Sequence, residues 1–120
     1  MIASGYRSGM DGVEVFRLAD IAVKHIAADA GDVVSGAPTL GTTAITTLGD
    51  SGVEVGVWEM SVGAVRDVEA DEVFLVLTGS ATITTAGSSV VVEAGDLVRL
   101  TAGTETTWEV TAPLRKLYLA

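Results

Sequence analysis

After residue 36 the chain alternates apolar and polar residues with period two, broken at short intervals by glycine. In "GVEVGVWEM" Val53, Val55 and Val57 fall on one face of a strand, and Glu54, Gly56, Trp58 and Met60 on the other, because successive side chains leave opposite faces of an extended backbone. In "ATITTAGSSVVVEAGD" two strands flank a tight turn at Ala86-Gly87-Ser88, the pattern of a hairpin. The stretch "DEVFLVLTG" breaks the alternation: two acids precede Val73 to Leu77, all apolar, and Gly79 closes the run as a strand end. A strand that is apolar on both faces is covered on both. One cover is a barrel interior; the other is a second sheet or another subunit, so a homodimer is expected. Further turn signals at Gly49-Asp50-Ser51-Gly52, Gly63, Gly95-Asp96 and Ala102-Gly103 complete the picture of an all-β sandwich or barrel.

The first 35 residues read differently. "MIASGYRSGMDG" (1–12) is rich in glycine and serine and predicts a loose arm. "VEVF" (13–16) predicts a short strand. In "DIAVKHIAADAG" (20–31), Asp20 offers an N-cap and Gly31 a stop, which predicts a short helix. Residues 1–35 are therefore expected to be an N-terminal arm packed on a barrel domain of residues 36–120.

Composition narrows the functional classes. Among 120 residues, 48% are hydrophobic and 19% charged, the balance of a globular chain. Sixteen acids against seven bases give a formal charge of -9, which opposes nucleic acid or an anionic membrane as partner. With no cysteine, thiolate nucleophiles and cysteine-ligated zinc are excluded. The N-terminus lacks the apolar core of a signal peptide and no run is long enough to span a membrane, so a cytoplasmic protein is expected.

Six separated elements carry a resemblance: Gly56-Val57-Trp58-Glu59, Asp71-Glu72, Gly79, Gly95-Asp96, Trp108-Glu109-Val110 and Arg115-Lys116-Leu117-Tyr118. In this order, over residues 36 to 120, the chain resembles the cupin superfamily. Within it, the pattern is similar to that of small single-domain cupins of the ureidoglycine aminohydrolase-like and ethanolamine-utilisation types. The resemblance implies a double-stranded β-helix, or jelly-roll, barrel. By itself it licenses no reaction.

The usual cupin metal site, two histidines and a glutamate from a first motif and a histidine from a second, is implied by the same resemblance. Here Glu72, separated from Gly79 by six residues, falls in the glutamate slot. The first-motif histidine slots fall on Val65 and Asp67, or on Arg66 and Val68. Thr101 stands where proline is usual, and Thr106 takes the second-motif histidine slot. The one histidine, His25, lies upstream of these motifs and is read as a solvated residue. Imidazole normally supplies transition-metal affinity; Glu72 and Asp67 remain as carboxylates for at most a loosely held hard divalent ion, and no metal and no other cofactor is expected.

Within the lumen, alternation places Glu72 with Phe74 and Val76, and the neighbouring Asp71 on the opposite face. An inward Glu72 needs donors, for which Thr106, the Trp108 indole and Tyr118 are the candidates. Asp67, Glu69 and Asp71 read as a solvated acidic loop. Trp58 and Trp108 suit a pocket wall or plain core filling. Lys116 shares a face with Tyr118; pairing with a pocket acid and a place in solvent are the alternatives, and solvent is expected. The leading reading is a small cupin that binds a polar metabolite in a lumen lined by Trp58, Glu72, Phe74, Thr106, Trp108 and Tyr118. Two alternatives stand beside it: an aminohydrolase- or isomerase-like enzyme using Glu72 as acid or base, and a structural or regulatory dimer with a filled barrel.

Overall fold

The structure, a computed structural model, describes residues 7–120. Eleven strands are present among them: β1 (Arg7–Met10), β2 (Val13–Phe16), β3 (Ile26–Ala27), β4 (Val33–Ser35), β5 (Thr39–Thr47), β6 (Glu54–Met60), β7 (Gly63–Val68), β8 (Glu72–Thr85), β9 (Ser88–Glu93), β10 (Leu97–Leu100) and β11 (Glu105–Leu119). β1 and β2 form a separate hairpin. The other nine form one antiparallel sheet in the order β10-β8-β11-β6-β5-β3, with β9 on β8, β7 on β11 and β4 on β7. Rolled up, it is the expected all-β cupin-type barrel.

Two long strands organise it. β8 and β11 pair along most of their length, and β11 also pairs with β7 through residues 105–110 and with β6 through residues 114–119. Each therefore serves both halves of the barrel. Gly79 does not end a strand, as the sequence suggested, but lies inside β8. It sits at φ +88°, where a Cβ would come 2.0 Å from the Pro113 carbonyl oxygen of β11. Positive φ and the close backbone approach explain the glycine, and the register between β8 and β11 shifts there.

Two apolar clusters follow from the alternation. The lumen holds Met60, Phe74, Val76, Ile83, Trp108, Val110 and Leu114, with Trp58 packed against them. Full burial of Phe74 alone contributes roughly 2–3 kcal/mol. Outside the barrel, Val57 joins Ile21 and Ile45 in a second cluster that Phe16, Leu18, Val23 and Leu117 pack against. The chain's own residues 16–23 thus cover part of the outer sheet face. Leu97 remains exposed, in register with Leu75.

The N-terminal segment departs from two expectations. The helix over 20–31 is absent: Leu18–Asp20 is a single 3-10 turn, and β3 follows in extended backbone. The Asp20 and Gly31 signals lacked an apolar face with helical spacing, and pairing of Ile26 and Ala27 with Leu40 and Thr39 satisfies the backbone instead. The loose arm read over 1–12 contains β1 at residues 7–10; its remainder, 1–6, lies outside the described residues. β4 pairs with β7, Val33 with Val65 and Ser35 with Ala64. No helix among the described residues is long and apolar enough to cross a membrane.

Candidate functional site

A cavity of about 550 Å³ opens at one end of the barrel, within the ~300–1,000 Å³ range of small-molecule sites. The lumen is therefore not packed solid. Its aromatic wall comes from Trp58 on β6 and Trp108 and Tyr118 on β11, and residues 26–29 of the N-terminal segment form part of its rim. Five carboxyl groups line it (Asp29, Asp32, Asp67, Glu69 and Glu72) against two bases, Arg66 and Lys116.

Lys116 is the central group and corrects the expectation of a solvated lysine. It is 6% exposed. Its Nζ donates to Glu72 Oε2 at 2.6 Å and lies 4.2 Å from the ring centroid of Phe74, 4.7 Å from Trp58 and 5.0 Å from Trp108. The negative faces of three rings and one carboxylate together stabilise a charge that burial would otherwise expel. The sheet register brings this about: Lys116 pairs with Trp58 across β6 and with Val76 across β8. Trp108 completes the set through ring contacts at 5.7 Å to Trp58 and 5.5 Å to Phe74.

Glu72 turns inward and Asp71 outward. The Asp71 side chain is 66% exposed, accepting from the Ala102 backbone N–H at 3.0 Å and from Arg99 Nη2 at 3.1 Å. These bonds, the backbone one first, hold its carboxyl below the usual range. The Glu72 donor, however, is Lys116 and none of the three expected groups. Thr106 Oγ1 and Trp108 Nε1 donate instead to Glu69 Oε2, at 2.6 and 2.9 Å. Tyr118 donates to Glu54 Oε2 at 2.7 Å, and burial, then Glu54, push its phenol pKa upward. Glycine at 56 makes room for that ring, since a Cβ there would stand 2.3 Å from the phenol oxygen.

Glu69 corrects a second expectation. Read as a solvated acid, it is 8% exposed. It is drawn in where β7 ends, its N–H bonded to the Thr104 carbonyl and its carbonyl to the Gly103 N–H. Asp67 lies beside it, and burial, then the Glu69 charge, raise the Asp67 pKa. Of the expected site residues, Trp58, Glu72, Trp108 and Tyr118 line the cavity together. Phe74 is fully buried behind Lys116, and Thr106 stands behind Glu69. Lys116, Glu69 and residues 26–29 were missed. The shared face of Lys116 and Tyr118 was the available signal for the lysine.

A cupin metal does not fit these residues. The carboxylate in the glutamate slot is bound by an ammonium, no imidazole faces the cavity, and no metal-holding cluster of three His, Cys, Asp or Glu side chains exists among the described residues. His25, read as solvated, is exposed and lies outside the cavity lining, hydrogen-bonded through Nδ1 to Thr39 Oγ1 and through Nε2 to Glu59 Oε1.

The comparisons agree with this architecture. The model of the EutQ-like cupin domain matches residues 48–118. Among solved structures, a putative ethanolamine utilization protein from Salmonella typhimurium is similar at TM-score 0.76 and 20% identity, covering 100% of this chain and 95% of its own. The Clostridium difficile EutQ protein follows at TM-score 0.74 and 21% identity, over 96% and 92%. A DUF861 family protein from Thermotoga maritima is 33% identical over 52% of this chain and 73% of its own, at TM-score 0.50. No curated protein matches.

Proposed function

The chain belongs to the EutQ-like cupin family, and from that premise we propose that its barrel lumen binds a small polar metabolite without a histidine-ligated metal. The observation that carries this reading is the cavity itself: an aromatic wall, an open mouth and five carboxyl groups against two bases. Such a surplus of acid attracts ligands that present positive charge or N–H donors, and the indole faces add apolar and cation–π contact. Glu69, held by Thr106 and Trp108, and its neighbour Asp67 are the acceptors placed for that end of a ligand.

One observation favours an enzymatic variant of this reading. Asp67 and Glu69 are two carboxyl groups in contact, one with a raised pKa, which is the arrangement of an acid–base pair. In an enzyme this pair, and not the lysine-bound Glu72, would move the proton.

The test is a tryptophan-fluorescence titration, since Trp58 and Trp108 both border the cavity. Small amines, amides and carboxylates would be compared at low and high salt. At least one amine or amide is expected to shift the emission with a Kd near or below about 1 mM, more weakly at high salt. Silence from every amine and amide would sink the lumen-binding reading.

A further inference from the structure

An ammonium group carries three N–H donors. Among the described residues, Glu72 is the one hydrogen-bond acceptor of Lys116 Nζ. The rings of Trp58, Phe74 and Trp108 stabilise its charge and confine it, but a π-face is a weak acceptor next to an oxygen. Lys116 also lines the cavity. A buried cation with unfilled donors, held from several sides and open toward a pocket, is positioned to receive an oxygen from there. It stands against Glu72, at 2.6 Å from that carboxylate.

Resting on the lumen-binding reading, we propose that Lys116 is the ligand-binding cation of this pocket, and that the pocket selects small two-ended molecules. A carbonyl or carboxylate oxygen binds Lys116, and an ammonium or N–H group faces Asp67 and Glu69. Glu72, Trp58, Phe74 and Trp108 act as positioning residues for the lysine. Paired with Glu72, the lysine does not cancel the acid surplus, so an anion without a second, cationic end is repelled by the wall that carries Asp67 and Glu69. A purely cationic ligand satisfies that wall but leaves the Lys116 donors unfilled. Molecules with both ends satisfy both.

Four probes test this on the folded protein by calorimetry and tryptophan emission: glycinamide and β-alanine, which have both ends, and propylamine and propionate, which have one. The two-ended probes are expected to bind at least about tenfold tighter than either one-ended probe, as one charge-assisted hydrogen bond implies. Lys116→Met keeps the apolar stem among the rings and removes the charge. It should weaken the two-ended probes about tenfold or more, while propylamine, which loses a repelling cation and gains the freed Glu72 carboxylate, should bind no more weakly than to the parent. Lys116→Arg retains a cation and should keep part of the preference. Propylamine binding as tightly as glycinamide, or Lys116→Met binding all probes like the parent, would overturn the assignment of Lys116 while leaving the lumen-binding reading intact. Should Lys116→Met fail to fold, the probe ranking on the parent protein and on Lys116→Arg still decides. Failure of all four probes would overturn both proposals.

Discussion

Arg115 and Lys116 are adjacent on β11 and leave it on opposite faces, and each holds one carboxylate. Outside the barrel, Arg115 Nη1 donates to Glu59 Oε2 at 2.5 Å, and Nη2 donates to the carbonyls of Leu18 and Ile21. His25 reaches the other Glu59 oxygen. Inside, Lys116 holds Glu72 under three rings. The guanidinium fork satisfies fixed backbone acceptors and ties the N-terminal segment to the sheet; the ammonium, a compact point of charge, keeps donors in reserve. The bonds of the outer cluster all run to the chain's own carboxylate and carbonyls, and neither Arg115 nor Glu59 lines the cavity. The inner one is left with bonding capacity facing a cavity, and that difference separates a fastening from a site.

The largest effect that would expose this division comes from Arg115→Met. It leaves Glu59 with His25 alone and takes a donor from the Leu18 and Ile21 carbonyls, at a cost of about 2–3 kcal/mol, read as a lower unfolding midpoint and faster hydrogen exchange in residues 17–27. Affinity in the lumen should fall much less than stability; equal losses would erase the distinction. Glu72→Gln ranks next. The amide oxygen still accepts from Lys116, so a loss of about 1–2 kcal/mol in thermal melts is expected, with a clear change in probe affinity. Its neighbour serves as control: Asp71→Asn should alter neither unfolding nor binding, since that pair is solvated on the outside. If Asp71→Asn changes binding as much as Glu72→Gln, the inward and outward assignments are exchanged.

The smallest effect is a pH dependence of the outer cluster. Burial would raise the Glu59 pKa, but hydrogen bonds from His25 and Arg115 outweigh it and the net shift is downward. A carboxyl lowered on folding contributes stability above its ordinary pKa of 4.5 and loses it as pH falls through the lowered folded value. Hydrogen exchange corrected for its intrinsic rate should therefore rise in residues 17–27 below about pH 4.5, and less so in Glu59→Gln. A protection profile flat through that window would detach Glu59 from the fastening.

What was legible in the sequence followed local rules. Alternation put Val57 on one face of β6 and Trp58 and Met60 on the other, and it separated Asp71 from Glu72. The barrel and its family followed from glycines and motifs in order. Contacts assembled across the sheet escaped. The environment of Lys116 comes from β6, β8 and β11, and no local pattern predicts that three rings will meet one ammonium. Glu69 lies beyond the end of β7, where alternation stops applying, and its donors are on β11. The helix expected over 20–31 failed for the reverse reason: end signals were counted where no amphipathic face existed to be buried.

β11 has one more consequence, and it concerns time. This strand supplies the partners of β6, β7 and β8, and carries Trp108, Lys116 and Tyr118. On a ribosome the earlier strands emerge first and wait, their apolar edges unpaired, until residues 105–119 have cleared the exit. Closure of the barrel and creation of the cavity then coincide in one late, non-local event, of the kind that makes β-rich chains fold slowly. In the interval the exposed edges of β6 and β8 are the surfaces most open to chaperones and to mispairing with other nascent chains.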